Sequence, residues 1–499
     1  MPILAWTTIL GYALLTVLLA IRGARRTSSL EGFAVGNGDI HPALIGLSLT
    51  AQLTSVATFV INPGLVFHSG LAGLLGYGFA AAAGIVLGLV VFSRRFRAVG
   101  ATVQALTIPS WIGARYASRP LRALFAALSL GLVAFAVLIV VALAYVLGNL
   151  LGVPPAPVAV VVSAFVVGYV LVGGANAHAL TNAVQAVVML VVAFVLIGAG
   201  APLLVGGDLF ATLAAQDPHL VALTNPTSLY FRNIFEVFVC NFVVGLAVVC
   251  QPHIVGKALY LRDDSQVRTF LSVAVVAGLV FLGVLLVGLY ARTAIPLDTP
   301  IDRVVPTWIA ATFPAPLQVL VTLGMLCAGL STLEGILLAL SGIFALDVHP
   351  LLRPEGSPTS ALRFGRVGLA LVGLAAAALA VRQIADPVGG SVAIFAQYGV
   401  YLLFTASFLP LLCGMFIPAA TRRVVTAAVL ASIAGYLGAS VFGLTALSSN
   451  PAFLATIGIF AGGAVLALGL ALSAARAPQD HVDRIGASAE AHGAKELAA

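Results

Sequence analysis

The run LCAGLSTLEG, Leu326 to Gly335, lies inside a stretch from Leu317 to Leu346 that otherwise reads as one uninterrupted apolar helix. Two hydroxyls and a carboxylate have no place in such a helix unless something nearby uses them. Ala328, Ser331, Thr332 and Gly335 recur at i, i+3, i+4 and i+7, which puts a carbonyl and two hydroxyls on one stripe. Uncharged oxygens so arranged suit a hard monovalent cation, held weakly enough to be released again. The plainer alternative is an interhelical hydrogen-bond pair, worth ~0.6 kcal/mol on average.

The surrounding chain decides where that helix lives. Of 499 residues, 61% are hydrophobic and 8% charged, with mean hydropathy +1.12, a composition that excludes a water-soluble globular domain. A span needs about 20 apolar residues, and thirteen such segments follow one another: about 3–21, 42–66, 71–93, 122–150, 155–174, 181–204, 233–255, 269–291, 316–346, 366–383, 389–417, 424–445 and 453–475. The first lacks a basic region before its apolar core and is followed by RGARR, so it reads as a retained helix and not a signal peptide. The net charge of +7 does not call for nucleic acid. Of the 24 Lys and Arg, all but Arg232, Arg292, Arg303 and Arg382 fall in loops on one side or in the tail, which predicts an outside N-terminus and a cytoplasmic C-terminus in an inner (plasma) membrane. Lys257 is counted there as a loop residue, and His253 as a polar residue at the cytoplasmic end. Cys240, Cys250, Cys327 and Cys413 all fall within spans, with neither a disulfide framework nor zinc spacing.

Span 2 departs from plain Leu, Val, Ala and Gly. It carries Ser48, Thr50, Gln52, Thr54, Ser55, Thr58 and Asn62, then Pro63 and Gly64. In hydrocarbon every backbone group must find a partner, so a polar, interrupted helix is stable only where it lines a cavity or protein interior. Each hydroxyl alone could bond back to the preceding turn, but this many cover more than one face. Glu236 and Glu334 are the acids within spans. Arg232, four residues before Glu236, offers a helix-face ion pair. Glu334 has no basic neighbour in sequence, and a charged carboxylate at mid-membrane costs ~2.5–3.5 kcal/mol on the lenient scale. Three readings stay open: a protonated acid, a pair with a cation or distant Arg, or a proton-coupling group.

With those residues in view, the chain resembles the sodium/solute symporter family over about Glu31 to Ile417. LTAQLTSVATFVINPGLVFHSG is similar to that family's broken helix, in the version of its pantothenate carriers. GGANAHALTNAVQAVVM is similar to its glycine-pair signature, and AGLSTLEGILLALSGIFALD to its ion-binding helix, ending in Asp347. The resemblance implies an all-α polytopic fold of about 13 transmembrane helices with a leucine-transporter-like 5+5 inverted-repeat core. The implied division is a peripheral helix at 1–30, repeat 1 at 31–205 (spans 2–6), repeat 2 at 206–420 (spans 7–11), peripheral spans at 421–475 and a disordered cytoplasmic tail at 476–499. It implies a Na⁺ site of backbone oxygens at Ala51, Thr54 and Ala328 with the hydroxyls of Ser331 and Thr332. Substrate contacts are expected from Gln52, Ser55, Tyr77, Asn241, Gln251 and Gln397.

The chain departs from the pattern at Asn182, where many members have Asp, at Leu53, where several have a polar residue, and at Cys250, where sugar carriers have Asn. Glu334 and Asn182 are therefore the candidate coupling residues. The reading is Na⁺-coupled symport of a small organic solute, a monocarboxylate, pantothenate-like molecule or amino acid, by alternating access. No Arg lies at mid-membrane, so an anionic solute would have to use the broken helices. A proton-coupled carrier using Glu334 is the alternative within the fold, and a membrane sensor with a signalling partner the alternative outside it. No nucleophile-and-base constellation points to an enzyme. The expected partners are the solute and the lipid bilayer, with no nucleic acid and no assignable oligomeric partner.

Overall fold

Both helices that open the expected repeats are broken, and local sequence explains each break. A computed structural model describes residues 2–25, 40–387, 392–443 and 446–496, and all regular elements among them are helical. After α1 (Pro2–Ala24), helix α2 (Pro42–Leu53) stops at Thr54, whose φ −93° and ψ 70° leave helical geometry, and α3 (Ala57–Ser69) resumes at a 51° bend. Ser55 caps the restart, its Oγ accepting from the Ala57 N–H at 3.1 Å. Next come α4 (Leu71–Val103), α5 (Arg119–Leu151) and α6 (Pro155–Ala199). The second broken pair is α7 (Phe235–Val248) and α8 (Pro252–Tyr260), bent by 54°. Here the cause is Pro252, since a residue preceding proline is pushed out of the helical region and Gln251 is extended at φ −76°, ψ 143°.

Five further helices complete the bundle: α9 (Ser265–Ala291), α10 (Ala315–Leu352), α11 (Pro358–Ala385), α12 (Val392–Phe416) and α13 (Arg422–Phe442), before α14 (Pro451–Glu496). Helix α10 is the axis of the molecule. Its apolar window is 89% buried, against 22% for α1, and it packs on α2, α5, α6 and α11. That position is why it tolerates the hydroxyls and the carboxylate of the LCAGLSTLEG run. Helices α1 and α6 pack side by side, as do α13 and α14.

Among the described residues, ten helices are long and apolar enough to cross a membrane, and twelve segments result if each bent pair counts as one. The thirteen expected differ at α6, one element where the sequence reading placed two spans. Gly174 within it has φ 61° and ψ −163°, conditions only glycine adopts readily. In a straight helix Tyr169 and Thr181 would lie about 18 Å apart along the axis, yet both reach the carboxylate of Glu334. The chain therefore turns back at Gly174. The boundary expected near residues 30 and 31 lies outside the described residues, as do the side chains of the 476–499 tail.

Candidate ion and solute site

The break in α2 exposes carbonyls that a continuous helix would have bonded internally. Ser331 Oγ of α10 lies 2.8 Å from the Ala51 carbonyl oxygen and 2.9 Å from that of Ala328. Thr332 Oγ1 lies 3.0 Å from the Gln52 carbonyl oxygen and 3.2 Å from that of Ala328. All of these residues are buried. Five oxygens, three of them backbone carbonyls, thus converge where α2 crosses α10, with no formal charge among them. Of the expected set, Ala51, Ala328, Ser331 and Thr332 come together. Thr54 sits just past the bend, its N–H on the Thr50 carbonyl at 2.8 Å, and its side chain lines a lateral cleft with Tyr77. Gln52, expected as a solute contact, contributes its carbonyl here.

Glu334 is held by donors from α6. Tyr169 OH donates to Oε1, as does Gln185 Nε2 at 3.0 Å, while Thr181 Oγ1 lies 2.8 Å and His178 Nδ1 3.1 Å from Oε2. Two amides, Gln52 Nε2 at 2.7 Å and Asn182 Nδ2 at 3.4 Å, point at His178 Nε2. That nitrogen is therefore the acceptor, and Nδ1 carries the hydrogen donated to Glu334. The Glu334 carboxyl is thus within hydrogen-bonding reach of four side chains of α6. The chain of bonds Glu334–His178–Gln52 ends on the residue whose carbonyl belongs to the oxygen cluster. His178, Thr181, Asn182 and Gln185 follow i, i+3, i+4, i+7, so this stripe was visible in the glycine-pair motif although only Asn182 was singled out from it.

The remaining expected solute residues lie around the two breaks. Tyr77 packs edge-on to Phe231 with ring centroids 5.1 Å apart, and Gln397 lies on α12. Asn241 Nδ2 closes on the Glu236 carbonyl at 2.8 Å and the Val237 carbonyl at 3.3 Å, and Gln251 Nε2 on the Val248 carbonyl at 3.1 Å. Ser55 and Asn241 are thus engaged with backbone at the breaks. Glu236 has the expected Arg232 partner at 2.6 Å and a second donor, Asn450 Nδ2, at 2.9 Å.

Two residues assigned to a loop and a helix end prove to be interior. Lys257 and His253 are 2% and 5% exposed because α8 continues inward past the Pro252 bend. Lys257 Nζ donates to Ser48 Oγ at 3.0 Å, which also accepts from Asn182 Nδ2 at 3.2 Å. Both residues line a narrow, partly open cleft of about 50 Å³ with Gln52, Thr107, His178 and Tyr260. Beyond the cleft, Asp347 is fully buried and bonded to Arg122 Nε at 2.7 Å and Thr107 Oγ1 at 2.6 Å. Thr107 also caps the short helix Ile108–Arg115.

The model of the sodium:solute symporter family matches residues 33–435. The chain belongs to the sodium:solute symporter family. Among curated relatives, the sodium/pantothenate symporter of Haemophilus influenzae is 27% identical over 367 residues, covering 72% of this chain and 73% of its own. That of Escherichia coli K12 is 26% identical over 367 residues, covering 70% and 72%. Among solved structures, a Na⁺-coupled sialic acid symporter in a substrate-bound outward-open state superposes with TM-score 0.77 at 16% identity, over 94% of this chain and 97% of that one. A nucleobase-cation-symport-1 family transporter in a closed conformation gives TM-score 0.51 at 17% identity, over 88% and 93%. This symporter is therefore a multi-pass membrane transporter with the leucine-transporter-like all-α fold, and not an enzyme. The family and the relatives support Na⁺-coupled transport of a small solute.

Proposed function

We propose that this symporter couples one Na⁺, bound where α2 crosses α10, to the uptake of a small carboxylate-bearing solute by alternating access. The observation that carries the reading is the pair of hydroxyl-to-carbonyl contacts from Ser331 and Thr332 to Ala51 and Gln52. Replacing those hydrogen bonds with a cation gives the same oxygens ligand roles, while the Thr54 carbonyl at the bend completes the set. The ion braces the broken helix against α10, and the solute takes the adjacent space beside Tyr77, Gln251 and Gln397. Both relatives are sodium/pantothenate symporters, and pantothenate is a carboxylate, which favours that class over sugars and zwitterions. The basic bias of the loops supports an inner-membrane placement with the N-terminus outside.

The energetics depend on the solute's charge. One Na⁺ moving down ~100 mV gains about 2.3 kcal/mol and each tenfold gradient adds ~1.4, enough to accumulate a neutral solute several hundredfold. A monoanion carried with one Na⁺ moves no net charge, and only the concentration term remains. Uptake into proteoliposomes tests this: an inward Na⁺ gradient drives pantothenate or a monocarboxylate in, and a K⁺ gradient does not. With a single Na⁺, a valinomycin-set potential leaves anion uptake unchanged, whereas strong acceleration by inside-negative potential means more than one coupling cation. Proton coupling is the second reading, favoured by Glu334. Uptake that follows a pH gradient in Na⁺-free medium would replace the sodium reading with it.

A further inference from the structure

Lys257 is a buried amine with no carboxylate within ion-pair distance among the described residues. It is 2% exposed, its hydrogen bond runs to the neutral Ser48 Oγ, and its Nζ lies 4.6 Å from the Tyr260 ring centroid. The Glu334 carboxyl, on the far side of His178, acts on it only from beyond ion-pair distance. Burying an unpaired charge costs several kcal/mol. An anionic ligand would supply the partner that the charged form of this group lacks.

The walls around it say what kind of anion. The cleft is lined by Lys257, His178, His253, Gln52, Thr107 and Tyr260, with no acidic side chain among its lining residues. Glu334 stands behind His178, its carboxylate already saturated by Tyr169, His178, Thr181 and Gln185. Two buried side chains that line the cleft have an atom without a partner, Gln52 Oε1 and His253 Nδ1. A cation flanked by unpaired polar groups matches a carboxylate whose neighbouring atoms carry a hydroxyl or amide N–H.

We infer that Lys257 is the carboxylate-recognition residue of this carrier, and that the cleft between α2, α6, α8 and α10 receives the acidic head of the solute while Gln52 and His253 take its hydroxyl or amide hydrogens. The inference rests on the reading of the solute as a carboxylate and gives that group a place. It also joins the two cargoes, because Gln52 offers its side chain to the cleft and its carbonyl to the ion site.

Thermal stability of the full-length purified protein in detergent provides the test, with pantothenate and short hydroxy-monocarboxylates as probes and their primary amides as controls, all in Na⁺ buffer. Wild type is stabilised by at least one carboxylate and by its amide only at about tenfold or higher concentration. Lys257→Met and Lys257→Gln lose that preference, Lys257→Arg retains part of it, and all keep the stabilisation by Na⁺ alone. The carboxylate–amide comparison in wild type needs no variant, so misfolding of one substitution does not remove the test. Equal responses to acid and amide, no response to any carboxylate, or an acid preference that survives in Lys257→Met overturns the inference. Loss of the Na⁺ response in wild type instead counts against the ion site alone, and the acid–amide comparison is then read in Na⁺-free buffer.

Discussion

Ser331 and Thr332 each have one hydroxyl hydrogen and two carbonyls within reach, so each oxygen keeps lone pairs that a cation can take without breaking the helix. Gly335, one turn along, decides whether Gln52 can stay in line. A Cβ there would fall 1.9 Å from Gln52 Nε2. Gly335→Ala therefore pushes the amide off His178, and Na⁺ titration of thermal stability should show affinity several-fold weaker with the fold retained. For Glu334, ionisation has its own test. An ionised Glu334 loses its charge in Glu334→Gln at a cost of about 2–4 kcal/mol of stability, seen as a clear drop in Tm. An unchanged Tm would mean that the native group carries a proton. Ser331, Thr332 and Glu334 were legible from helical spacing and from the price of polarity in hydrocarbon. His178 was present in the same kind of stripe, but a neutral imidazole on a helix carries no such penalty to draw attention to it.

Among the elements, α6 and the two broken pairs show what hydropathy reads and what it does not. Apolar length located the helices, and Pro, Gly and clustered hydroxyls located the break in α2. The Pro252 bend was not legible in the same way, because the sequence after it, HIVGKALY, looks like the basic end of a span when read by the charge rule. The helix instead continues inside, which carries Lys257 into the protein interior. The reversal at Gly174 depends on a conformation costing other residues about 1–3 kcal/mol. Gly174→Ala should accordingly lower stability by that order in a denaturation measurement and loosen the α6 groups around Glu334. An unchanged Tm would show that the turn is not set by that residue.

Across the whole molecule, α10 carries the ion-site hydroxyls at its middle and Asp347 near its end, so one helix links the site to the α4–α5 connection through Arg122 and Thr107. Arg122→Ala leaves a buried carboxylate without its cation and should destabilise by about 3–5 kcal/mol, much of it recovered in the double variant with Asp347→Asn. Non-recovery in equilibrium unfolding would show that Arg122 acts otherwise. At the surface, Arg97 and Arg94 hold the Asp264 carboxyl below its usual range. The sign follows: this contact is fully present above the ordinary carboxylate value of about 3.9 and fades as pH falls through the lower folded value. The bundle and its broken helices were read from one-dimensional patterns; the pairing of Lys257 with Ser48, or of Glu334 with α6, required the three-dimensional crossing of segments far apart in sequence. The measurement to make first is thermal stability of the purified chain against Na⁺, with K⁺ and choline as controls, in wild type and Thr332→Ala. A rise specific to Na⁺ that Thr332→Ala abolishes is the expected result. No response to Na⁺ in wild type, or an equal response in the variant, would contradict an ion site at the crossing of α2 and α10.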